Sequence, residues 1–308
     1  MTQSTPMKRF DRTMGTESIV REEEARFEKE LGRLTERICA DKALRVLTLS
    51  GPTCSGKTTT ANKLIQKFAD EGRNIHVISI DDFYFDKTVL HQRAAMDESI
   101  EIDYDSVDTI DVALLARCVD DILSGKTVDL PIFDFKSGQR SGYKPLRAAR
   151  EDDMFVFEGI QAIYPEIRDI LAPYAFKSLF INAESGIDFE GTVFSPEEIR
   201  LYRRLVRDYH FRNATPEFTF YLWKSVRENE IRSIFPHVHT CDYRIDSTLS
   251  FELGLIKPYL LEILARCPEA DAQKHGVGDI LTKMGAIPEI PKSYLADDSL
   301  YYEFLTRG

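Results

Sequence analysis

Short apolar runs alternate with helical patterns along most of this chain. The runs are three to six residues long and rich in Val, Ile, Leu, Phe and Tyr. They lie at 44–49, 75–80, 128–132, 154–157, 179–181 and 243–245. Runs of this kind are typical of strands buried on both faces, and helices between them favour parallel pairing. The sequence therefore predicts an α/β fold with a doubly wound, mostly parallel sheet.

The first two runs enclose a helical pattern, which completes a βαβ unit. Its apolar positions follow the i, i+3, i+4, i+7, i+8 stripe of an amphipathic helix. They are Ala61, Leu64, Ile65, Phe68 and Ala69. Gly72 follows the stripe and can end the helix. In sheets of this type, ligands bind beyond the carboxyl ends of the strands, so functional residues are expected there.

Composition narrows the classes of protein that this chain can represent. Of 308 residues, 43% are hydrophobic and 30% charged, which excludes wholesale disorder. No stretch approaches the roughly 18 to 20 apolar residues of a membrane span, and the start of the chain lacks a signal-peptide pattern, so a cytoplasmic location is expected. The net charge of −11 repels polyanions, so neither nucleic acid nor a membrane surface is an expected partner.

Three regions are predicted. Residues 1–42 form a helical extension, because apolar residues recur there at spacings of three and four. Residues 43–265 form the core, interrupted at about 182–240 by an Arg-rich and aromatic helical insertion interpreted as a lid. Residues 266–308 form a C-terminal extension that packs on the core.

Residues 51–58 read Gly-Pro-Thr-Cys-Ser-Gly-Lys-Thr and match the phosphate-loop pattern G-x-x-x-x-G-K-[ST]. The motif follows a predicted strand and begins a predicted helix. Its backbone N–H groups can converge on phosphate oxygens, Lys57 can reach the β and γ phosphates, and the Thr58 hydroxyl can bind Mg²⁺. The residues predicted to bind ATP are Gly51, Thr53, Ser55, Gly56, Lys57, Thr58 and Thr59.

Carboxylates follow two other predicted strands. Asp81 and Asp82 come after the run at 75–80, and one of them can accept a proton from an attacking hydroxyl. Glu158 follows the run at 154–157 and can orient a metal ion or its water. Taken singly, each position is also explained by ordinary turn and helix-cap chemistry.

The insertion contains five arginines within residues 200–212. Arg200, Arg203, Arg204 and Arg207 share one helix face at spacings of three and four, and Arg212 follows. Such a cluster can neutralise a transferring phosphoryl group. The alternative is a solvated basic face, which is the ordinary explanation of a charge run.

Together these motifs resemble the uridine kinase and phosphoribulokinase family of P-loop kinases, over roughly residues 46–247. The family's Asp-x-Phe-Tyr strand end is similar to residues 81–84, and its Asn-Phe-Asp-x-Pro-Asp segment to 103–108. Its Pro-x-Tyr-Asp-Phe element resembles residues 131–135, its Glu-Gly-Ile 158–160, and its Arg-rich lid 200–213. Three further segments look closer to a bacterial uridine-kinase-like branch: the insert at 182–198, the run at 215–236 that contains Trp223, and the C-terminal segment at 297–305.

The resemblance implies a fold of the P-loop nucleoside triphosphate hydrolase type with an Arg-rich lid. It also implies transfer of the ATP γ-phosphoryl group to the 5′ hydroxyl of a nucleoside, with ATP and Mg²⁺ as cofactors. Asp81 is then the general base, and Lys57 and three arginines stabilise charge. Those arginines are Arg204, Arg207 and Arg212. Thr58 and Glu158 hold the metal, and the acceptor is contacted by Tyr84, Asp105, Phe133 and Arg200.

The sequence departs from the family where the base is read. Uridine-cytidine kinases place a Tyr and a His where this chain has Phe133 and Gly138. Two polar contacts to the base are absent, so weak discrimination among nucleobases is expected. Another small hydroxyl acceptor, such as a sugar phosphate or pantothenate, is an alternative, and so is an ATP-binding switch without transferase activity. A homo-oligomer is compatible with the sequence.

Overall fold

A computed structural model describes residues 5–11, 13, 15–96, 102–150 and 152–307. The strands are β1 (Met7–Arg9), β2 (Val46–Ser50), β3 (Asn74–Ser79), β4 (Val128–Asp134), β5 (Gln139–Leu146), β6 (Asp153–Glu158), β7 (Phe176–Asn182), β8 (Gly186–Phe189), β9 (Thr192–Phe194) and β10 (Tyr243–Asp246). The α-helices are α1 (Thr16–Ala40), α2 (Lys57–Asp70), α3 (Lys87–Met96), α4 (Val112–Leu123), α5 (Pro165–Leu171), α6 (Pro196–Arg212), α7 (Pro216–Asn229), α8 (Glu252–Leu264), α9 (Glu269–Lys274) and α10 (Val277–Gly285).

Five strands form the central sheet in the order β10-β7-β2-β6-β3, and every neighbouring pair is parallel. Its side chains alternate between two apolar layers, as the period of two in a strand requires. Leu47 and Leu49 of β2 face one layer, and Val46 faces the other. The layer of Leu47 contains α1, α2, α6 and α8, whereas the opposite layer contains α4 and α5. The structure confirms the predicted doubly wound, parallel α/β fold.

The run at 128–132 is the one predicted strand that lies outside this sheet. It is part of β4, which pairs antiparallel with β5 in a two-stranded hairpin. Its placement in the parallel sheet was therefore wrong. Proline lacks the N–H that an interior strand donates to its neighbour, and Pro131 lies within this run. The hairpin projects toward the end of β3, where Asp82 accepts a hydrogen bond from the Phe133 amide at 3.1 Å.

The segment 182–240 contains β8, β9, α6 and α7. Strand β8 pairs with β1 on one side and β9 on the other, which forms a small second sheet. Helix α6 begins with a capping box between Ser195 and Glu198 and packs Ile199, Tyr202 and Leu205 into the core. In this structure α6 is therefore a core helix, and motion of the segment as a lid remains a prediction.

A segment near each end of the chain, α1 at one end and the C-terminal segment at 297–305 at the other, packs on the same apolar layer. Helix α1 contributes Phe27 and Leu31, and the C-terminal segment contributes Leu300, Tyr301 and Phe304. The last two of these C-terminal side chains are fully buried. The C-terminal segment also contacts α2 directly, through an ion pair of 2.6 Å between Lys63 and Asp298. Within the described ranges, no helix has both the length and the apolar character needed to span a bilayer.

Candidate active site

The phosphate loop connects β2 to α2, as the motif predicts. Two of its glycines are required by the geometry. A Cβ at Gly51 would lie 2.0 Å from the Ile181 carbonyl oxygen, so no larger residue fits. Gly56 has a φ of +91° at the N-cap of α2, where a residue with a side chain is strained. The loop therefore brings its backbone amides to the N-terminus of a 14-residue helix, the setting that favours phosphate binding.

The polar side chains of the loop are only partly satisfied by the protein. The Lys57 ammonium donates to the Pro52 carbonyl at 2.9 Å, so it folds back over the loop. The Ser55 hydroxyl is buried and has no hydrogen-bond partner among the residues that the structure describes. Thr58 is exposed at the start of α2. The Thr59 amide donates at 3.2 Å to the carboxylate of Glu303, a residue that the sequence did not connect with this loop.

The strand register brings the phosphate loop and both acidic strand ends to one edge of the sheet. Glu158, the last residue of β6, lies opposite Leu49 of β2 and opposite Ser79 of β3. Neighbouring strands are about 4.8 Å apart. Gly51 and Asp81 follow those two partners by two residues each. The predicted phosphate, metal and base positions therefore meet at the carboxyl edge of the sheet.

Asp81 is strongly affected by its surroundings. Burial raises the pKa of its carboxyl to about 7, and the nearby charge of Glu158 acts in the same direction. The positive charge of Lys57 acts in the opposite direction and lowers the pKa of this carboxyl. A carboxyl with a pKa near neutrality and access to a cavity has the properties of a general base.

The donor set beside Asp81 fits a hard divalent cation. Burial raises the pKa of Glu158, and Lys57 partly offsets this effect. Thr58 is the second residue of α2, the helix that follows the phosphate loop at this sheet edge. Two carboxylates in one poorly solvated region repel each other, and a Mg²⁺ ion with oxygen ligands relieves that repulsion. Thr58 and Glu158 are thus suitable as metal ligands, although no cluster of three His, Cys, Asp or Glu side chains with ligating geometry occurs among the described residues.

A cavity of about 1770 Å³ opens beside Asp81. Six of the residues predicted from the sequence line it: Thr53, Asp81, Tyr84, Asp105, Arg204 and Arg212. Other parts of the wall come from the loop at 102–109, from α3, from the β4–β5 hairpin, from residues 160–166, and from the C-terminal half of α7 with the segment after it. The base position therefore faces both the phosphate loop and a space large enough for a small-molecule acceptor.

A hydrogen-bond network holds the loop that carries Asp105. The Tyr84 hydroxyl donates to the Tyr104 carbonyl at 2.9 Å and accepts from the Gln161 amide at 2.7 Å. The Tyr164 hydroxyl donates to the Asp105 carbonyl, also at 2.9 Å. The Tyr84 hydroxyl thus already forms two hydrogen bonds within the protein, so we expect Tyr84 to contact an acceptor through its aromatic ring. Gln161 and Tyr164 were missed because their role depends on partners 77 and 59 residues away.

The hairpin places aromatic rings at the cavity wall, but Phe133 itself does not line the cavity. Its ring packs against Tyr84 at a centroid distance of 5.5 Å and against Phe135 at 5.2 Å. Phe135 is the ring that lines the cavity, and it is 60% exposed. Gly138 lies at the hairpin turn with a φ of +69°, and a Cβ there would lie 2.3 Å from the Lys87 side chain. The predicted acceptor contact of Phe133 is better placed on Phe135.

The arginines of α6 fall into two groups. Arg200 and Arg203 are 1% and 0% exposed. Arg200 donates two hydrogen bonds to Glu230, at 2.5 and 2.7 Å, and does not line the cavity. The prediction that Arg200 contacts the acceptor does not fit this position, because its guanidinium is already neutralised. The solvated-face alternative is also wrong for these two side chains.

The second group surrounds Asp208. Arg204, Arg207 and Arg212 lie 3.1, 2.7 and 3.6 Å from its carboxylate. Arg207 also reaches the Thr53 hydroxyl at 3.5 Å, which connects this group to the phosphate loop. Three cations share one anion, so positive charge remains available beside the loop, as charge neutralisation in phosphoryl transfer requires.

Other lining residues were not identified from the sequence. Arg93, Asp103, Asn229, Arg232 and His237 also line the cavity. Arg232 forms an ion pair with Asp103 across it. Asp103 lies within the motif at 103–108, so the sequence contained a signal for it. Arg232 lies in a turn of π-helix at Glu230–Ile234, which no sequence pattern predicted.

A phosphate loop after β2, with carboxylates at the ends of β6 and β3 and with arginines of α6 beside the loop, defines a P-loop kinase. A sequence model of the phosphoribulokinase / uridine kinase family matches residues 46–250. The chain belongs to this family. Membership indicates an ATP-dependent kinase, with ATP and typically Mg²⁺ as the implied cofactors.

Individual relatives agree with this assignment. The chain is 28% identical over 171 residues to a uridine kinase of Clostridium novyi (strain NT). This match covers 55% of this chain and 71% of that protein. It is 29% identical over 171 residues to uridine-cytidine kinase C of Dictyostelium discoideum, covering 56% of this chain and only 31% of that protein. The chain thus spans less than a third of the Dictyostelium protein.

A solved structure supports the fold. A protein from Silicibacter sp. TM1040, provisionally described as a fructose transport system kinase, superimposes with a TM-score of 0.51. The match covers 70% of this chain and 98% of that one, at 17% sequence identity. At this identity the likeness concerns the fold alone.

Proposed function

We propose that this protein transfers the γ-phosphoryl group of ATP to the 5′ hydroxyl of a nucleoside. The observation that carries the proposal is the position of Asp81, which faces the acceptor cavity and lies at the same sheet edge as the phosphate loop. The uridine kinase relatives support a nucleoside as the acceptor.

The proposed reaction follows from the groups at this edge. Asp81 accepts the proton of the acceptor hydroxyl as its oxygen forms a bond to the γ phosphorus, and the bond from phosphorus to the β–γ bridging oxygen breaks to release ADP. Lys57 and the arginines around Asp208 neutralise the charge that develops on the phosphoryl oxygens. Thr58 and Glu158 would hold Mg²⁺, which when bound adds further charge stabilisation.

Asp105 is proposed to position the acceptor, since it lines the cavity on a loop held from both sides. Burial raises the pKa of its carboxyl, and Asp103 adds to the effect. A partly desolvated carboxylate forms strong hydrogen bonds to hydroxyl groups such as those of a sugar. This feature suits a ribose and any other polyhydroxylated acceptor.

The raised pKa of Asp81 predicts a distinctive pH dependence. The carboxylate is the active form, so activity is lost as pH falls through its pKa, near 7 rather than near the ordinary value of 3.8. We expect kcat/KM for the acceptor at saturating ATP to fall about tenfold per pH unit below the midpoint. Asp82→Asn is the matched control, because Asp82 contacts Lys144 and the hairpin. This variant is expected to show the same fall of kcat/KM at low pH as the unaltered protein. A midpoint near 4 would contradict the assignment.

Nucleobase discrimination is expected to be weak. Phe133 packs on other rings and Gly138 lies in a turn, so neither supplies a hydrogen bond to a base. A site that lacks the two polar groups that read the base in uridine-cytidine kinases is expected to reject a wrong base less strongly. In competition between uridine, cytidine, adenosine and guanosine, we expect kcat/KM values within about tenfold of each other. A preference for one nucleoside by a factor of 10⁴ would show that unrecognised polar groups read the base.

A second candidate is a kinase for another small hydroxyl acceptor. It is favoured by the apolar residues at the two base-reading positions, Phe133 and Gly138, and by the size of the cavity. A coupled ADP-release screen over nucleosides, sugar phosphates and pantothenate decides between the two candidates. A nucleotide switch, by contrast, would show slow hydrolysis that no acceptor stimulates.

A further inference from the structure

The C-terminal segment places a carboxylate on the phosphate loop. Glu303 accepts a hydrogen bond from the Thr59 amide at 3.2 Å, in the first turn of α2. Amides in the first turn of a helix have no partner within the helix, and they are the donors that phosphate groups use. Thr59 was itself predicted to donate to a phosphate of ATP. A negatively charged oxygen of the protein thus occupies one of the predicted phosphate contacts.

The segment that carries Glu303 is firmly anchored. Tyr301 and Phe304, on either side of Glu303, are both 0% exposed and lie within 6 Å of the Arg203 guanidinium. Leu300 covers Gly56, because a Cβ on that glycine would lie 2.5 Å from a Leu300 methyl group. Such anchoring keeps the Glu303 carboxylate at a high effective concentration beside α2. Glu303 itself is only half-buried, so its side chain can turn away while the segment stays in place.

We propose that Glu303 is an autoinhibitory group that competes with nucleotide phosphate for the N-terminus of α2. The proposal rests on the proposed function insofar as residues 51–59 must be the nucleotide site. Nucleotide binding then requires the hydrogen bond between Glu303 and Thr59 to break. The negative charge of Glu303 adds a second obstacle near the loop: it helps to raise the pKa values of Glu158 and of Arg207, and Arg207 lies 3.5 Å from the Thr53 hydroxyl of the loop. In the absence of nucleotide, Glu303 therefore disfavours the binding of nucleotides that have low affinity or are present at low concentration.

The test is the affinity for Mg²⁺–ADP, measured by isothermal titration calorimetry without any acceptor. Glu303→Gln removes the charge at constant shape, and Glu303→Ala removes the competing oxygens altogether. We expect both variants to bind ADP about tenfold more tightly than the unaltered protein, which corresponds to about 1.4 kcal/mol. Glu289→Gln is the matched control, because Glu289 is an exposed glutamate of the same C-terminal region and should leave the affinity unchanged.

Thermal melting adds a readout that separates competition from a structural role. Loss of a contact that closes the empty site is expected to lower the melting temperature slightly without ligand, and to enlarge the increase produced by ADP. Equal or weaker ADP binding by both Glu303 variants overturns the inference, and leaves the phosphoryl-transfer proposal standing. Tighter binding with no acceptor-stimulated ADP release supports the inference while contradicting the transfer proposal.

Discussion

Asp81→Asn is expected to lower the rate of phosphoryl transfer by roughly 10² to 10⁴, the contribution of a positioned general base. The substitution conserves shape and removes the carboxylate that would accept the proton. Asp81 does not belong to the phosphate loop, so we expect the affinity for ATP to change by less than about threefold. Steady-state kinetics give the loss in kcat, and calorimetry with a non-hydrolysable ATP analogue gives the affinity.

Two comparisons make this result specific. Asp82→Asn changes the neighbouring carboxylate, which contacts the Phe133 amide and Lys144, and is expected to retain activity within about tenfold. The residual rate of Asp81→Asn should also no longer rise with pH around 7. A variant with unaltered turnover would remove Asp81 from the mechanism. A large drop in ATP affinity would instead place Asp81 among the residues that bind nucleotide or metal.

Arg203→Met is expected to have the largest effect on folding, about 3 to 5 kcal/mol of unfolding free energy. The Arg203 guanidinium is fully buried and donates to Glu252 at 2.6 and 2.9 Å, to Ser247 and to the Cys54 carbonyl of the phosphate loop. Its removal leaves the Glu252 carboxylate, which is 0% exposed, without its cation. Burial then forces this carboxyl to bind a proton or to draw in water, both at a cost. Denaturant unfolding monitored by circular dichroism measures the loss.

The double variant Arg203→Met with Glu252→Leu tests the physical cause. If the cost comes from an uncompensated buried charge, removing both partners should recover much of the stability lost in Arg203→Met. The surface control is Arg21→Met, since Arg21 pairs with Glu17 on α1 while 72% exposed, and should cost less than about 0.5 kcal/mol. A loss below 1 kcal/mol in Arg203→Met would show that the buried pair of Arg203 and Glu252 is not a major support of the fold.

Features that depend on neighbouring residues could be predicted from the sequence. The phosphate-loop pattern calls for Gly51 and Gly56, and the structure leaves no room for a side chain at the first and holds the second at a positive φ. The strand ends at Asp81 and Glu158 could be located because buried parallel strands leave short, uniform apolar runs. Sheet order then brought them together, which no single run could show.

Features that depend on distant partners could not be predicted. The charge run on α6 suggested a lid or a solvated face, yet the partners of Arg200 and Arg203 come from 30 and 49 residues further along. The contact between Thr59 and Glu303 spans 244 residues. The hairpin strand β4 resembled a core strand because a short apolar run has no feature that distinguishes the two settings, apart from Pro131.

Under the proposed function, the choice of acceptor depends on the cavity wall and not on the phosphate loop. Asp105, held by the Tyr84 and Tyr164 networks, offers a carboxylate to hydroxyl groups, and Phe135 offers an aromatic surface. Both features suit a nucleoside, and neither specifies its base. The family accounts for the reaction type, and the residues of this chain set the breadth of its acceptors.

The most direct test of the central claim is to incubate the protein with γ-labelled ATP and uridine and to follow the label by chromatography and ³¹P NMR. The account predicts that the label appears in a 5′ phosphate ester in equal amount to the ADP released, and that Asp81→Asn lowers both by the same factor. Label found only in inorganic phosphate, at a rate that no nucleoside, sugar phosphate or pantothenate increases, would contradict it.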